Sequence, residues 1–262
     1  LPANWKVAME AFMEGYHVMQ THPQIAVKPG AVFGDMYLNT VSHQGDAREK
    51  SRKNIRPGAT TREAIKEQFH HMELLSEGMA GMVHEKEVQV MRDLLDADLP
   101  EDPAVGVGMW FGMVQAEITR RLRERGEPTP DLNAVAVSDP ISAVEFLFPH
   151  YFLLPIFTSM SSYRIRPLGP ESCLFEIWSL TMYPKDADYT APLEPTMLAF
   201  DSPDFPPIPQ QDYSNIPIQQ KGMHAKGFEF MRLTKEKEGM ISNYERILDG
   251  YLAGAPQEKL AR

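Results

Sequence analysis

A chain of 262 residues, 43% hydrophobic and 24% charged, has enough apolar material for one large core, and no shift in composition along it argues for two domains. Its 36 acidic residues outweigh 26 basic ones, a formal charge of −10 that disfavours nucleic acid and other polyanions and favours a small or apolar ligand. The only cysteine, Cys173, excludes an intrachain disulfide and any iron–sulfur cluster or cysteine-rich zinc site built from this chain alone. No apolar run is long enough to span a membrane, so a soluble, cytoplasmic protein is expected. The chain opens on Leu1 with no charged leader, which leads us to expect a piece of something longer.

In chain order, "ANWKVAMEAFMEGYHVM" has strong helix formers and apolar positions at Val7, Phe12 and Met13. It predicts a first helix from about Pro2 to His22. "MYLNTVSHQ", Met36 to Gln44, has β character. Two helical runs follow, "REAIKEQFHHMELLSEGM" and "EKEVQVMRDLLDA", with Gly78 and Gly81 as breaks between them. "WFGMVQAEITRRLRERG" predicts another helix.

From about Ala143 to Tyr183 aromatic and β-branched segments alternate with Pro, Gly and Ser, as strands do. A turn at Pro167–Ser172 predicts an antiparallel hairpin, its second strand setting Leu174, Glu176 and Trp178 against Phe175, Ile177 and Ser179. The prolines gathered between Ser202 and Pro217 argue against a regular strand or helix there. The tail predicts an amphipathic helix with Ile241, Tyr244, Ile247 and Tyr251 along one side. The expected class is α+β, with helices at both ends and antiparallel strands in the middle.

The chemistry gathers in "EGYHVMQTHPQ", Glu14 to Gln24. On a helix Glu10, Glu14 and His17 share one stripe, so His17 has a carboxylate on the preceding turn. His22 lies five residues on, about 140° around an ideal helix, so both rings reach one point only if the helix bends or ends. Pro23 supplies a reason, because it pushes His22 out of the helical region. Two imidazoles and one carboxylate on one face of a metal form the facial triad of non-haem Fe(II) oxygenases. The same spacing also fits a helix end with surface or capping histidines.

"NWKVAMEAFMEGYHVMQTHPQ", Asn4 to Gln24, resembles the opening of the catalytic domain of Rieske non-haem iron oxygenase α-subunits, the ring-hydroxylating family. "QQDYSNIPIQQKGM" resembles its later aspartate, followed eight residues on by a Gln-x-Gly that opens the next helix, here Gln220, Lys221 and Gly222. "EGMISNYERILDGYL" resembles the closing helix, so the similarity runs end to end.

The resemblance implies a helix-grip (START/Bet v 1-like) fold, a curved antiparallel sheet covered by helices. It implies His17, His22 and Asp212 as ligands of one Fe(II) per chain. Without it, Asp212 reads as a turn residue in a proline-rich loop, with Asp201 and Asp204 as rivals. Glu14 matches the acid that links the first histidine to a neighbouring subunit's Rieske cluster, and Ala11, Gly15 and Val18 fall where a substrate pocket is expected.

The implied partners are O₂, a small apolar or aromatic substrate, and a ferredoxin or reductase as electron donor, in a homotrimer. The implied activity is mono- or dioxygenation. Ala11 stands where the family usually has asparagine. The family's Rieske [2Fe–2S] domain is expected in the full-length protein and not in these residues, so this chain by itself is not expected to receive electrons.

The alternatives are a non-catalytic ligand-binding module on the same fold and, less favoured, a zinc hydrolase, for which no His-Glu-x-x-His spacing is present. His70, His71 and His84 read as surface or packing histidines. "GVGMWFG" lacks the strand and the Lys-Ser/Thr of a phosphate loop, and "TRRLRERG" reads as a solvated helix face. Met9, Met13 and Met19 fit either a deformable pocket or the core.

Overall fold

The computed structural model describes residues 1–25, 55–79, 81–138, 144–189, 192, 194–234 and 238–260. The β character expected at Met36–Gln44 lies outside them. In chain order the elements are α1 (Trp5–Glu10), α2 (Val18–Thr21), α3 (Thr61–Gly78), α4 (Glu85–Asp93), α5 (Pro103–Glu124) and α6 (Leu132–Ser138). Strands β1 (Glu145–Leu147), β2 (Tyr151–Ile156), β3 (Ser159–Gly169) and β4 (Ser172–Thr181) follow, then α7 (Pro207–Met223), α8 (Gly239–Leu252) and α9 (Gln257–Leu260).

The helices begin where the sequence can satisfy their free N–H groups. Thr60 and Glu63 form a reciprocal capping box on α3. Asp102 caps α5 with Pro103 in its first turn, so this helix starts well before Trp110. Trp110, Val114, Ile118 and Leu122 recur every four residues along α5 and are all buried. The indole N–H of Trp110 donates to the carbonyl of Leu94 at 3.1 Å. "GVGMWFG" thus belongs to a helix, and a Cβ on Gly106 would lie 2.3 Å from Thr61 Cγ2, so its absence lets α5 close on α3.

The strands form one antiparallel sheet in the order β1-β2-β3-β4. The β3–β4 hairpin is the one expected, with Tyr163 opposite Ile177 and Ile165 opposite Phe175. Between β2 and β3, Phe157 takes a left-handed backbone (φ 52°). The turn is held by Glu87 of α4, whose carboxylate accepts from the Thr158 backbone (2.8 Å) and hydroxyl (2.7 Å). Burial raises the Glu87 pKa against these hydrogen bonds.

Helix α1 lies against β3, β4 and α7, while α3, α4 and α5 pack on one another, and α3 also meets α7. Phe12 fills the space over the sheet, its ring 5.1 Å from Phe152, 5.1 Å from Tyr163 and 5.8 Å from Phe175. Met9 and Met13 are fully buried in this core. The architecture is α+β, a sheet gripped by helices, of the helix-grip kind.

Three expectations need correction. The first helix does not run to His22 but stops at Glu10, and only the single turn α2 resumes between the histidines. The proline-rich stretch is no loop: α7 runs from Pro207 for 17 residues. Pro207 and Pro209 sit in the first turn, where an N–H has no partner to lose, and only Pro217 lies inside. On α8 the buried side is Ile241, Tyr244 and Leu248, whereas Tyr251 is 64% exposed.

Candidate metal centre

The motif Asn-Trp-Lys has a structural meaning. Asn4 caps α1 by accepting from the Lys6 backbone at 2.9 Å, and its amide donates to the Pro170 carbonyl at 2.7 Å. Trp5 meets Tyr244 of α8 edge to face, and Lys6 pairs with Glu245 at 2.8 Å. The Asn4 backbone N–H donates to Gln220 of α7 at 2.8 Å. Gln220–Gly222 therefore do not open a new helix. They close the one that carries Asp212 and fasten it to the start of α1.

After Glu10 the chain turns instead of coiling on, with Met13 N–H bonded to the Glu10 carbonyl and Val18 N–H to the Gly15 carbonyl. Glu14 stabilises the break by accepting from the His17 backbone N–H at 3.1 Å. Its other oxygen lies 2.5 Å from His17 Nδ1. The Glu14–His17 contact expected from helical spacing is therefore present, but in a turn. Glu10 leaves that stripe. Burial, then the nearby charge of Glu245, raises its pKa to about 7, with Glu238 adding and Lys6 opposing.

His17 and His22 flank α2 at its two ends, with ring centroids 5.4 Å apart and planes at 77°. His22 leaves helical geometry (φ −122°, ψ 59°) just before Pro23, as the proline requires. Asp212 projects from α7 so that Oδ1 is 2.9 Å from His22 Nε2 and 3.8 Å from His17 Nε2. Donor atoms of the three residues lie within 4.8 Å of one another, the metal-capable cluster among the described residues. The rivals fall elsewhere: Asp201 is exposed, and Asp204 bonds to Ser202.

The far edge of each imidazole is occupied. Glu14 takes His17 Nδ1, and Gln211 Oε1 lies 2.7 Å from His22 Nδ1. Gln211 Oε1 also accepts from Gln24 Nε2 at 2.8 Å, and Gln211 Nε2 donates back to Gln24 Oε1 at 3.3 Å. One turn along, Asn215 donates to Thr21 at 2.9 Å. Sequence reasoning missed Gln211, Gln24, Asn215 and Thr21. The one signal that pointed to Gln211 was its place beside Asp212.

This donor set fits a cation. If His22 Nδ1–H donates to Gln211 Oε1, Nε2 presents a lone pair to a carboxylate oxygen 2.9 Å away, and two acceptors so close need a proton or a metal between them. The pKa of His22 is raised accordingly: burial opposes the charge, but the hydrogen bond and charge of Asp212 outweigh it, with Gln211 and Glu14 contributing. His22 and Asp212 are shielded, at 2% and 9% exposure, while the His17 side chain stays 22% open.

Around it the environment is apolar and aromatic. Tyr213, beside Asp212, packs on Phe175 at 5.1 Å and on Phe205 at 5.0 Å, joining the cluster over the sheet. Of the expected pocket positions, Gly15 is buried just before His17, Ala11 packs partly buried against the core, and Val18 is partly buried at the start of α2.

The other candidates dissolve into the scaffold. His70 approaches Glu73, and His84 contacts Ser179 at 3.1 Å. Arg120 and Arg121 of the basic run are tied to Glu117, Glu124 and Asp93.

Fold and cluster together define a helix-grip protein with two imidazoles and one carboxylate converging beside an aromatic wall. The chain belongs to the ring hydroxylating alpha subunit (catalytic domain) family, whose model matches residues 1–254. It is therefore a ring-hydroxylating oxygenase catalytic domain. No curated protein and no solved structure matches it. No helix among the described residues is long and apolar enough to cross a membrane.

Proposed function

We propose that the chain is the single catalytic domain of an oxygenase terminal component, in which His17, His22 and Asp212 hold one Fe(II). The observation that carries this reading is the convergence of those three donors within 4.8 Å, with each histidine held from behind. Two neutral imidazoles and a carboxylate suit Fe(II), which when bound supplies sites for O₂ beside an organic substrate. The aromatic wall beside Asp212 favours an apolar, aromatic substrate, hydroxylated or dihydroxylated.

The residues of the chain divide the remaining work. Glu14 orients the His17 ring and, as a buried carboxylate, raises the donor strength of that imidazole. In the assembled protein it faces the electron source, a Rieske [2Fe–2S] centre of a neighbouring subunit in a homotrimer fed by a ferredoxin or reductase. The apolar packing of Phe12, Phe175 and Tyr213 keeps water from the substrate side.

Metal analysis tests the reading. Iron near one per chain is expected, lost in His17→Ala and in Asp212→Ala, with uptake of O₂ dependent on a reductant and an aromatic substrate. Stoichiometric zinc overturns it in favour of a zinc hydrolase, and no metal with both substitutions silent overturns it in favour of a ligand-binding module.

A further inference from the structure

We propose that Gln211 is a positioning residue of this centre: with Gln24 it fixes the tautomer and ring plane of His22, and it does so as a neutral acceptor where Glu14 is an anionic one. The inference rests on the metal reading above and goes beyond its ligand set.

Geometry gives the first argument. Gln211 and Asp212 are consecutive on α7, yet both reach the same ring, Gln211 at Nδ1 (2.7 Å) and Asp212 at Nε2 (2.9 Å). The helix thus grips His22 at both nitrogens, and a turn of the ring about its Cβ–Cγ bond breaks both contacts. Gln211 can act this way only if its oxygen, not its NH₂, faces the imidazole. In the structure Oε1 faces the imidazole, and the reciprocal bonds with Gln24 hold the amide plane in that position. With Nδ1–H committed to that oxygen, the Nε2 lone pair is left for the metal.

Charge gives the second. Asp212 and Glu14 bring two negative charges to a shielded site, matching one divalent ion. A second carboxylate behind His22 would leave the loaded site net negative away from water, whereas an amide sets the tautomer without adding charge. The two imidazoles therefore differ as donors, His17 being backed by an anion and His22 by a neutral dipole. The Asn215–Thr21 bond holds α2 and α7 at the spacing this clamp needs.

The test uses Co(II) as probe on the full protein, measuring affinity by chelator competition and ligand field by visible absorption. Gln211→Leu is expected to weaken Co(II) by ~10–100-fold, the usual effect of losing a hydrogen bond to a ligand histidine, and to alter the absorption bands. Gln211→Glu, which keeps an acceptor but adds the charge that the amide avoids, should recover the absorption bands and hold affinity near, but not above, the parental value. Gln24→Leu, at an exposed position, should cost a few-fold by freeing the amide to turn.

Parental affinity and spectrum in Gln211→Leu would sink the proposal while leaving the metal centre intact. So would a Gln211→Glu variant as weak as Gln211→Leu. Failure of the parent protein itself to bind Co(II) removes the metal reading beneath it. Should Gln211→Leu not fold, the opposite expectations for Gln211→Glu and Gln24→Leu still decide the matter.

Discussion

The two segments that meet at the centre, Trp5 to Thr21 and Pro207 to Met223, invert what their compositions favour. The first is rich in helix formers and breaks after one and a half turns, ending at Glu10. The second starts among prolines and forms a helix of 17 residues. In the first, the Glu14 carboxylate takes the His17 N–H and replaces the backbone ladder. In the second, two prolines occupy positions whose N–H would be unpaired anyway. Propensity is a weak prior, and here local hydrogen bonding overrides it twice. His17, His22 and Asp212 converge because one helix fails and the other does not.

The largest expected effect separates the ligand from its support. Asp212→Ala should abolish stoichiometric metal binding, because two imidazoles alone make a poor site for a divalent ion. Glu14→Gln should leave binding intact but weaker by ~10–100-fold, since the ring loses an anionic partner and keeps its own donor atom. Iron per chain after dialysis distinguishes them. Equal loss in both variants would make Glu14 a ligand rather than a support.

Next is a stability effect at the point where the first helix stops. Glu10 ends α1, where a negative charge is unfavourable to the helix dipole, and its carboxyl has a pKa of about 7 in the folded protein against 4.5 ordinarily. The folded state therefore binds more protons than the unfolded one between those values, so stability falls as pH rises from 4.5 through about 7 and then levels. The shift corresponds to a cost of roughly 3 kcal/mol above pH 7. Glu10→Gln should remove it, giving a variant more stable than the parent at pH 8 and equal to it near pH 4.5 by denaturant melts. A parallel profile in both proteins would mean that Glu10 ionises freely.

Smaller again is the cap that starts this helix. Asn4→Ala removes the bond to the Lys6 N–H and the bond to the Pro170 carbonyl, and should cost about 1–2 kcal/mol of stability. Asn4→Asp, which still caps but cannot donate to the carbonyl, should recover about half of it. Urea denaturation reads both.

How much of this was legible follows from the range of the interactions. The strands from Glu145 to Thr181, the helices α3 to α5 and the Glu14–His17 contact rest on local periodicity and spacing, which a sequence displays. Resemblance supplied Asp212 and the fold. What stayed hidden was the set of bonds between residues nearly two hundred positions apart: Gln211 with His22 and Gln24, and Asn215 with Thr21. A glutamine in such a pair looks like any surface glutamine until the two helices are docked. The break after Glu10 was hidden for a related reason, because it depends on a carboxylate choosing a backbone N–H over solvent. Gly78 and Gly81 mark the break between α3 and α4, as expected: Gly78 ends α3 against α7, where a Cβ would come within 2.9 Å of Ile208, and Gly81, at φ 81°, turns the chain.

The smallest expected effect probes the one proline that α7 tolerates in its interior. Pro217 has no N–H for the Tyr213 carbonyl one turn earlier, and its ring crowds that carbonyl. Pro217→Ala restores a donor and removes the crowding, while giving back some freedom to the unfolded chain, which offsets ~0.4–1 kcal/mol. The net expectation is a gain of about 1 kcal/mol, read as a small rise in Tm. Metal affinity should stay within about two-fold of the parent, because Gln211, Asp212 and Asn215 all precede the proline and remain bonded to the α2 segment. A loss of affinity alongside the gain in stability would show instead that the proline sets the angle at which α7 presents Asp212, joining the helix that forms against its composition to the site it serves.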